Sequence, residues 1–103
     1  MIDFGEQLTG LDGKGLIEKV NGHEVELTLG QVAVNALLMM LPEEHALPAG
    51  DKVRRFVIAT KAHEGQAELT AEEIAIVKAC IGRAYGPLVV ARAWQLLDPA
   101  SVR

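Results

Sequence analysis

Few places in this chain bring together side chains that do chemistry. Glu43-Glu44-His45 and His63-Glu64 are the runs in which carboxylates and imidazoles are neighbours, and both fall in predicted loops or at a helix end. A metal centre needs three or four ligands converging at definite spacing, and neither an H-E-x-x-H motif nor paired His/Cys positions occur. These residues read as solvated loop groups, so neither a metal nor another cofactor is expected. Glu72-Glu73 has the composition of an acid–base pair. It sits, however, in the first turn of a predicted helix, where negative charge complements the helix dipole. Gly13-Lys14-Gly15 lacks the glycine spacing and the following Ser/Thr of a phosphate loop. Asp12 lacks the alternating acidic ligands of a calcium loop, so the segment is read as a turn. His23 is expected to be the cross-strand neighbour of Val20 rather than a base. Cys80 lies on the apolar face of a predicted helix, where burial keeps a thiol neutral and makes it core filler. No catalytic residue is assigned, and the chain is not expected to be an enzyme.

The composition sets the frame for these residues. With 103 residues, half of them apolar, the chain is expected to be one domain over residues 1–103. A chain of this size buries roughly 60–70% of its unfolded surface, enough for a core without staples. One cysteine excludes an internal disulfide and points to the cytosol. Met1 to Glu6 has neither the basic nor the apolar region of a signal peptide. The longest apolar stretch, Val32 to Leu41, is interrupted by Asn35 and falls short of the about 20 residues a bilayer needs. Ten Lys/Arg against fourteen Asp/Glu leave a net charge of −4 with the signs intermixed, which suggests neither nucleic acid nor membrane as a partner.

The elements follow from caps and periodicity. Leu27-Thr28-Leu29-Gly30-Gln31-Val32 and Leu69-Thr70-Ala71-Glu72-Glu73-Ile74 are two helix starts of one design. Each combines a threonine N-cap, a Gln or Glu three residues on, and a flanking apolar staple. Residues 1–27 read as an antiparallel β-ribbon. Asn21-Gly22 is a type I′ hairpin turn that sets Lys19 opposite Glu24 and gathers Leu16, Val20, Val25 and Leu27 on one face, with Glu18 intruding. A turn at Asp12-Gly13 would bring the Phe4 to Thr9 segment back against Leu16 and Ile17. Residues 28–98 read as helical. The first helix is expected to run from Leu29 to Leu41, apolar nearly all round except for Gln31 and Asn35, and to stop before Pro42. After a loop from Pro42 to Gly50, a second helix spans about Asp51 to His63, with Val53, Phe56, Val57 and Thr60 as its apolar stripe. A loop from His63 to Leu69 leads to a third helix over Ala71–Ala84. Tyr85-Gly86 ends it, Pro87 suits the first turn of a fourth, and Asp98-Pro99 closes that one before a tail at 99–103. The fold class is α+β and mainly helical: an N-terminal β-ribbon followed by four helices.

Two functional readings follow. The tight connection between the third and fourth helices has the outline of a helix-turn-helix. Its second helix opens Pro87-Leu88-Val89-Val90-Ala91, leaving Arg92 as the first polar reader, so a plain helical hairpin is favoured. Apolar surplus is more informative. A ribbon and one amphipathic helix offer limited cover to three strongly apolar helices, so part of that surface is expected to meet another copy or a partner protein. The candidate interface is Leu88, Trp94, Leu97 and Ile58, Trp being the side chain most often found as an interface anchor.

The stretch ELTAEEIAIVKACIGRAYGPLVVARAWQLLD (Glu68 to Asp98), with ELTLGQVAVNALL (Glu26 to Leu38) after a glycine-punctuated ribbon, resembles small proteins encoded in tailed-phage and prophage genomes. The likeness spans most of the chain. Those relatives tend to carry Gly-Gln before the tryptophan, where this chain has Ala91-Arg92. The resemblance implies a phage context, no enzymatic activity and no catalytic residue to carry over. The expected role is an interaction or assembly protein, in virion head or tail morphogenesis, that associates with itself or with another phage protein. Its place would be the host cytoplasm or the virion. The alternative is a small regulatory protein that binds DNA or a host factor through the hairpin of the third and fourth helices.

Overall fold

The computed structural model describes residues 1–102, and Arg103, the end of the expected tail, lies outside them. Asn21 at φ 52° and Gly22 at φ 80° occupy the left-handed region that a type I′ turn requires. Strand β1 is Ile2–Asp3, and the turn joins β2 (Ile17–Val20) to β3 (His23–Glu26). The register is the expected one, with Lys19 opposite Glu24 and Val20 opposite His23. The earlier turn also forms. Gly13 sits at φ 80°, the Lys14 amide donates to Asp12 Oδ1 at 3.0 Å, and the Gly10 amide donates to the Lys14 carbonyl at 2.9 Å.

Three backbones close a ring at the base of the hairpin. The Leu8 amide donates to Leu27, Leu27 to Leu16 and Leu16 to Leu8, at 2.9, 3.0 and 2.8 Å. Leu8 and Leu27 enter the core there. Above the ring the hairpin leaves the body, and every residue from Ile17 to Glu26 is exposed.

Helix α1 (Leu29–Leu38) starts on its cap, Thr28 Oγ1 accepting the Gln31 amide at 3.1 Å. It ends three residues short of the expected Leu41. Met39 turns extended, Arg83 Nη2 donates to the freed carbonyls of Ala36 and Met39 at 3.2 and 3.1 Å, and Pro42 holds Leu41 extended. Pro42–Glu44 then forms a 3-10 turn where an irregular loop was expected. Helix α2 (Ala49–His63) begins two residues earlier than expected, after Pro48. The expected loop beyond it contains β4 (Gln66–Ala67), which pairs antiparallel with β1, Ile2 opposite Ala67. Helix α3 (Ala71–Ala84) has its expected bounds, and α4 (Pro87–Leu97) carries Pro87 in its first turn. A 3-10 turn, Pro99–Ser101, follows it. The fold is α+β and mainly helical, with two two-stranded antiparallel sheets and four helices among the described residues.

Helix α1 is the centre of the core, packed on α2 and α3 and touching α4. Its close fit to α2 is made by small residues. Gly30 leaves no room for a side chain: a Cβ there would lie 2.9 Å from the Phe4 carbonyl oxygen and 3.2 Å from that of Ala62. Ala33 and Ala36 on α1 and Ala59 and Ala62 on α2 are all buried. This choice of face turns α2 over. Ile58, Ala59 and Ala62 point inward, while Val53, Phe56 and Val57 are 60%, 58% and 44% exposed. The stripe that periodicity marked as the packing face of this helix is its outer face.

Candidate functional site

The acid–imidazole clusters are not assembled into a site. Glu43, His45, His63 and Glu64 are exposed, and no group of three potential metal ligands occurs among the described residues. A cavity of about 210 Å³ opens beside His63, with Phe4, Thr28, Gly30 and Gln31 in its lining and no second titratable side chain. His23 is exposed opposite Val20 on the hairpin, and Cys80 is buried in the core.

Glu44 departs from the expected solvated loop group. Its Oε1 accepts the Leu41 amide at 3.1 Å, and its Oε2 accepts from Arg55 Nη1 at 2.9 Å and Arg83 Nε at 3.1 Å. Desolvation raises its pKa, but the Leu41 amide and the two guanidiniums outweigh that, and the carboxyl is held below its ordinary 4.5. One carboxylate thus ties the 3-10 turn to α2 and α3 and fixes the arginine that caps α1. It is a structural clasp.

Glu73 has a similar role at the start of α3. Thr70 Oγ1 accepts the Glu73 amide at 3.1 Å, and Glu73 Oε1 accepts the Thr70 amide at 3.0 Å, a complete capping box. Lys61 Nζ, 2.8 Å from Oε2, is the main cause of a lowered pKa, with the Thr70 amide next. The first cassette completes only half of this pattern. Gln31 turns its amide to Asn35 Oδ1 at 3.2 Å, and Asn35 donates to Tyr85 Oη at 3.3 Å.

The candidate interface residues divide. Ile58 is fully buried and Leu97 is 5% exposed, so neither is available to a partner; both fill the core under α1. Trp94 is partly buried between α3 and α4. Its Nε1 donates to the Lys78 carbonyl at 3.2 Å, and the Lys78 ammonium lies 4.5 Å above its ring. Leu88 does face outward, lining a shallow hollow of about 430 Å³ with Leu11, Pro87, Ala91, Arg92 and Gln95. Leu11 beside it is 91% exposed. Arg92 has no free guanidinium to read a nucleic acid, because Nε donates to Thr9, Nη2 to Gly10 and Nη1 to Gln95, at 3.0, 3.0 and 3.2 Å. It straps the ribbon to α4.

The largest exposed apolar groups lie elsewhere. They are Val53, Phe56 and Val57 on α2, Leu38 and Met39 at the end of α1, and Ile17, Val20 and Val25 on the hairpin. Sequence reasoning found the surplus of apolar surface but on α2 it chose Ile58, on the buried face, and on α4 it included the buried Leu97 beside the outward Leu88. The signal for α2 was present in Ala59 and Ala62, whose small size allows the close helix approach that larger residues prevent.

No family model matches the chain. No curated protein and no solved structure matches it either. Among the described residues, no helix is long and apolar enough to cross a membrane.

Proposed function

We propose that this protein is a non-enzymatic interaction or assembly protein of phage or prophage origin, acting in head or tail morphogenesis in the bacterial cytoplasm or the virion. One observation carries the interaction reading: α2 presents Val53, Phe56 and Val57 to solvent on the side opposite Ile58, Ala59 and Ala62. An apolar stripe at helical period that its own chain leaves about half exposed is a surface held for another polypeptide. The Leu11–Leu88 hollow offers a second contact of the same kind. The phage context rests on the resemblance of Glu26 to Leu38 and Glu68 to Asp98, not on a site.

The test joins genetics to biochemistry. The gene is expected among head and tail genes. Tagged wild-type protein should copurify with itself or with a neighbouring gene's product, and Phe56→Glu should abolish that copurification while leaving the fold intact. A position beside a repressor or recombinase, with binding to duplex DNA that weakens steeply with salt, would overturn the reading in favour of a regulator.

A further inference from the structure

The exposed stripe of α2 does not stop at that helix. Helices α1 and α2 run antiparallel: Gly30 meets the Ala62 carbonyl at one end, and at the other Glu44 holds both Arg55 and the Arg83 that caps Ala36 and Met39. Val34 of α1 and His63 of α2 line one cavity. Leu38 lies one turn further along α1 and Phe56 two turns back along α2, so the two share one side of the helix pair. Leu38, Met39, Val53, Phe56 and Val57, each 40% to 60% exposed, therefore form one patch with Phe56 in its middle.

The area and the rim of this patch bear on what covers it. About half of five side chains of roughly 150–200 Å² each leaves about 400–500 Å² of apolar surface. A standard interface takes about 800 Å² from each partner, about 65% of it apolar in homodimers, so the patch supplies nearly all the apolar area a dimer needs from each copy. At the rim, Arg54, Arg55 and Lys61 are each paired within the chain, with Glu72, Glu44 and Glu73. Lys52 keeps its charge but donates to the His45 carbonyl at 3.0 Å, and Asp51 stands beside it in the sequence. The face thus presents little net charge to recruit a charged partner, and two copies of it meet without strong repulsion. We infer that the patch is the two-fold interface of a homodimer, α2 of one copy lying antiparallel on α2 of the other, with Phe56 nearest the axis and against its own counterpart. The inference rests on the reading that the exposed stripe serves association, and names the partner. Such a contact is isologous: it uses the same patch on both copies, so assembly stops at two.

Sedimentation velocity of the full chain across a dilution series tests this, with Phe56→Glu and Phe56→Lys as variants. The position is exposed, and circular dichroism should show unaltered folding; Val57→Glu and Val57→Lys replace them if either fails to fold. Wild type is expected to pass from monomer to dimer with concentration and to grow no further. Each variant alone sets like charges together at the axis and is expected to associate at least tenfold more weakly. An equimolar mixture of the two sets opposite charges together and is expected to dimerise more tightly than either variant alone. A mixture no heavier than its components overturns the inference. Wild type that grows beyond a dimer, or that assembles undiminished by both substitutions, also overturns it while leaving the assembly reading standing. Wild type that remains monomeric at every concentration overturns it as well, and copurification with a neighbouring gene's product then judges the broader reading alone.

Discussion

Glu44 joins three parts of the chain through one carboxylate. Because its folded pKa lies below the ordinary 4.5, its stabilisation is fully present above that value and is lost as pH falls through the folded pKa. Glu73 acts in the same direction. Thermal melts from neutral pH to about pH 3 should therefore show stability falling on the acid side, and Glu44→Gln should flatten that fall while lowering the plateau at neutral pH. An unchanged slope would mean the clasp contributes nothing. At the caps, Thr70→Ala is expected to cost about 1 kcal/mol in chemical denaturation. Thr28→Ala should cost less than Thr70→Ala, since Gln31 does not complete the box in the first cassette. The caps were legible in the sequence because donor and acceptor lie three residues apart. Glu44 was not, because Arg55 and Arg83 reach it only after the helices have packed.

Among the elements, α2 shows most plainly what periodicity leaves open. Its sequence offers two faces, one with Val53, Phe56 and Val57 and one with Ile58, Ala59 and Ala62. Summed hydrophobicity favours the first, while the close approach to Gly30 of α1 admits only the second. Ile58→Ala is accordingly expected to destabilise the monomer by about 2–5 kcal/mol, the range for deleting a buried aliphatic side chain. Phe56→Ala should stay within about 0.5 kcal/mol, as for an exposed position. The reverse order in urea denaturation would place the helix the other way up. Gly30→Ala tests the same packing, because its added methyl meets two backbone carbonyls that cannot rotate away; about 1–3 kcal/mol should be lost. Helix α3 was readable end to end from its capping box and the Tyr85-Gly86 break. The β1–β4 pair was not, since two-residue strands carry no period, and their hydrogen bonds join segments at opposite ends of the ribbon–helix unit.

For the whole molecule, the exposed stripe of α2 predicts association driven by apolar contact. Raising NaCl from about 0.05 M to about 0.5 M shortens the reach of charge from roughly 14 Å to about 4 Å, so a contact held by charge would weaken. A purely apolar contact would hold or tighten under the same change. Light scattering at fixed protein concentration distinguishes the two.

The sequence by itself determined what is local: the I′ turn at Asn21-Gly22, the capped starts of α1 and α3, the stop at Tyr85-Gly86, and therefore an α+β chain of ribbon then helices. These depend on φ preferences and on groups a few residues apart. Only the tertiary structure decided which apolar residues are spent inside. It buried Ile58 and Leu97, covered most of Trp94, and left Val53, Phe56 and Val57 outside. The physical reason is that a core selects faces by how closely two backbones can approach, and that distance is set by glycine and alanine pairs far apart in the chain rather than by hydrophobicity along any one helix.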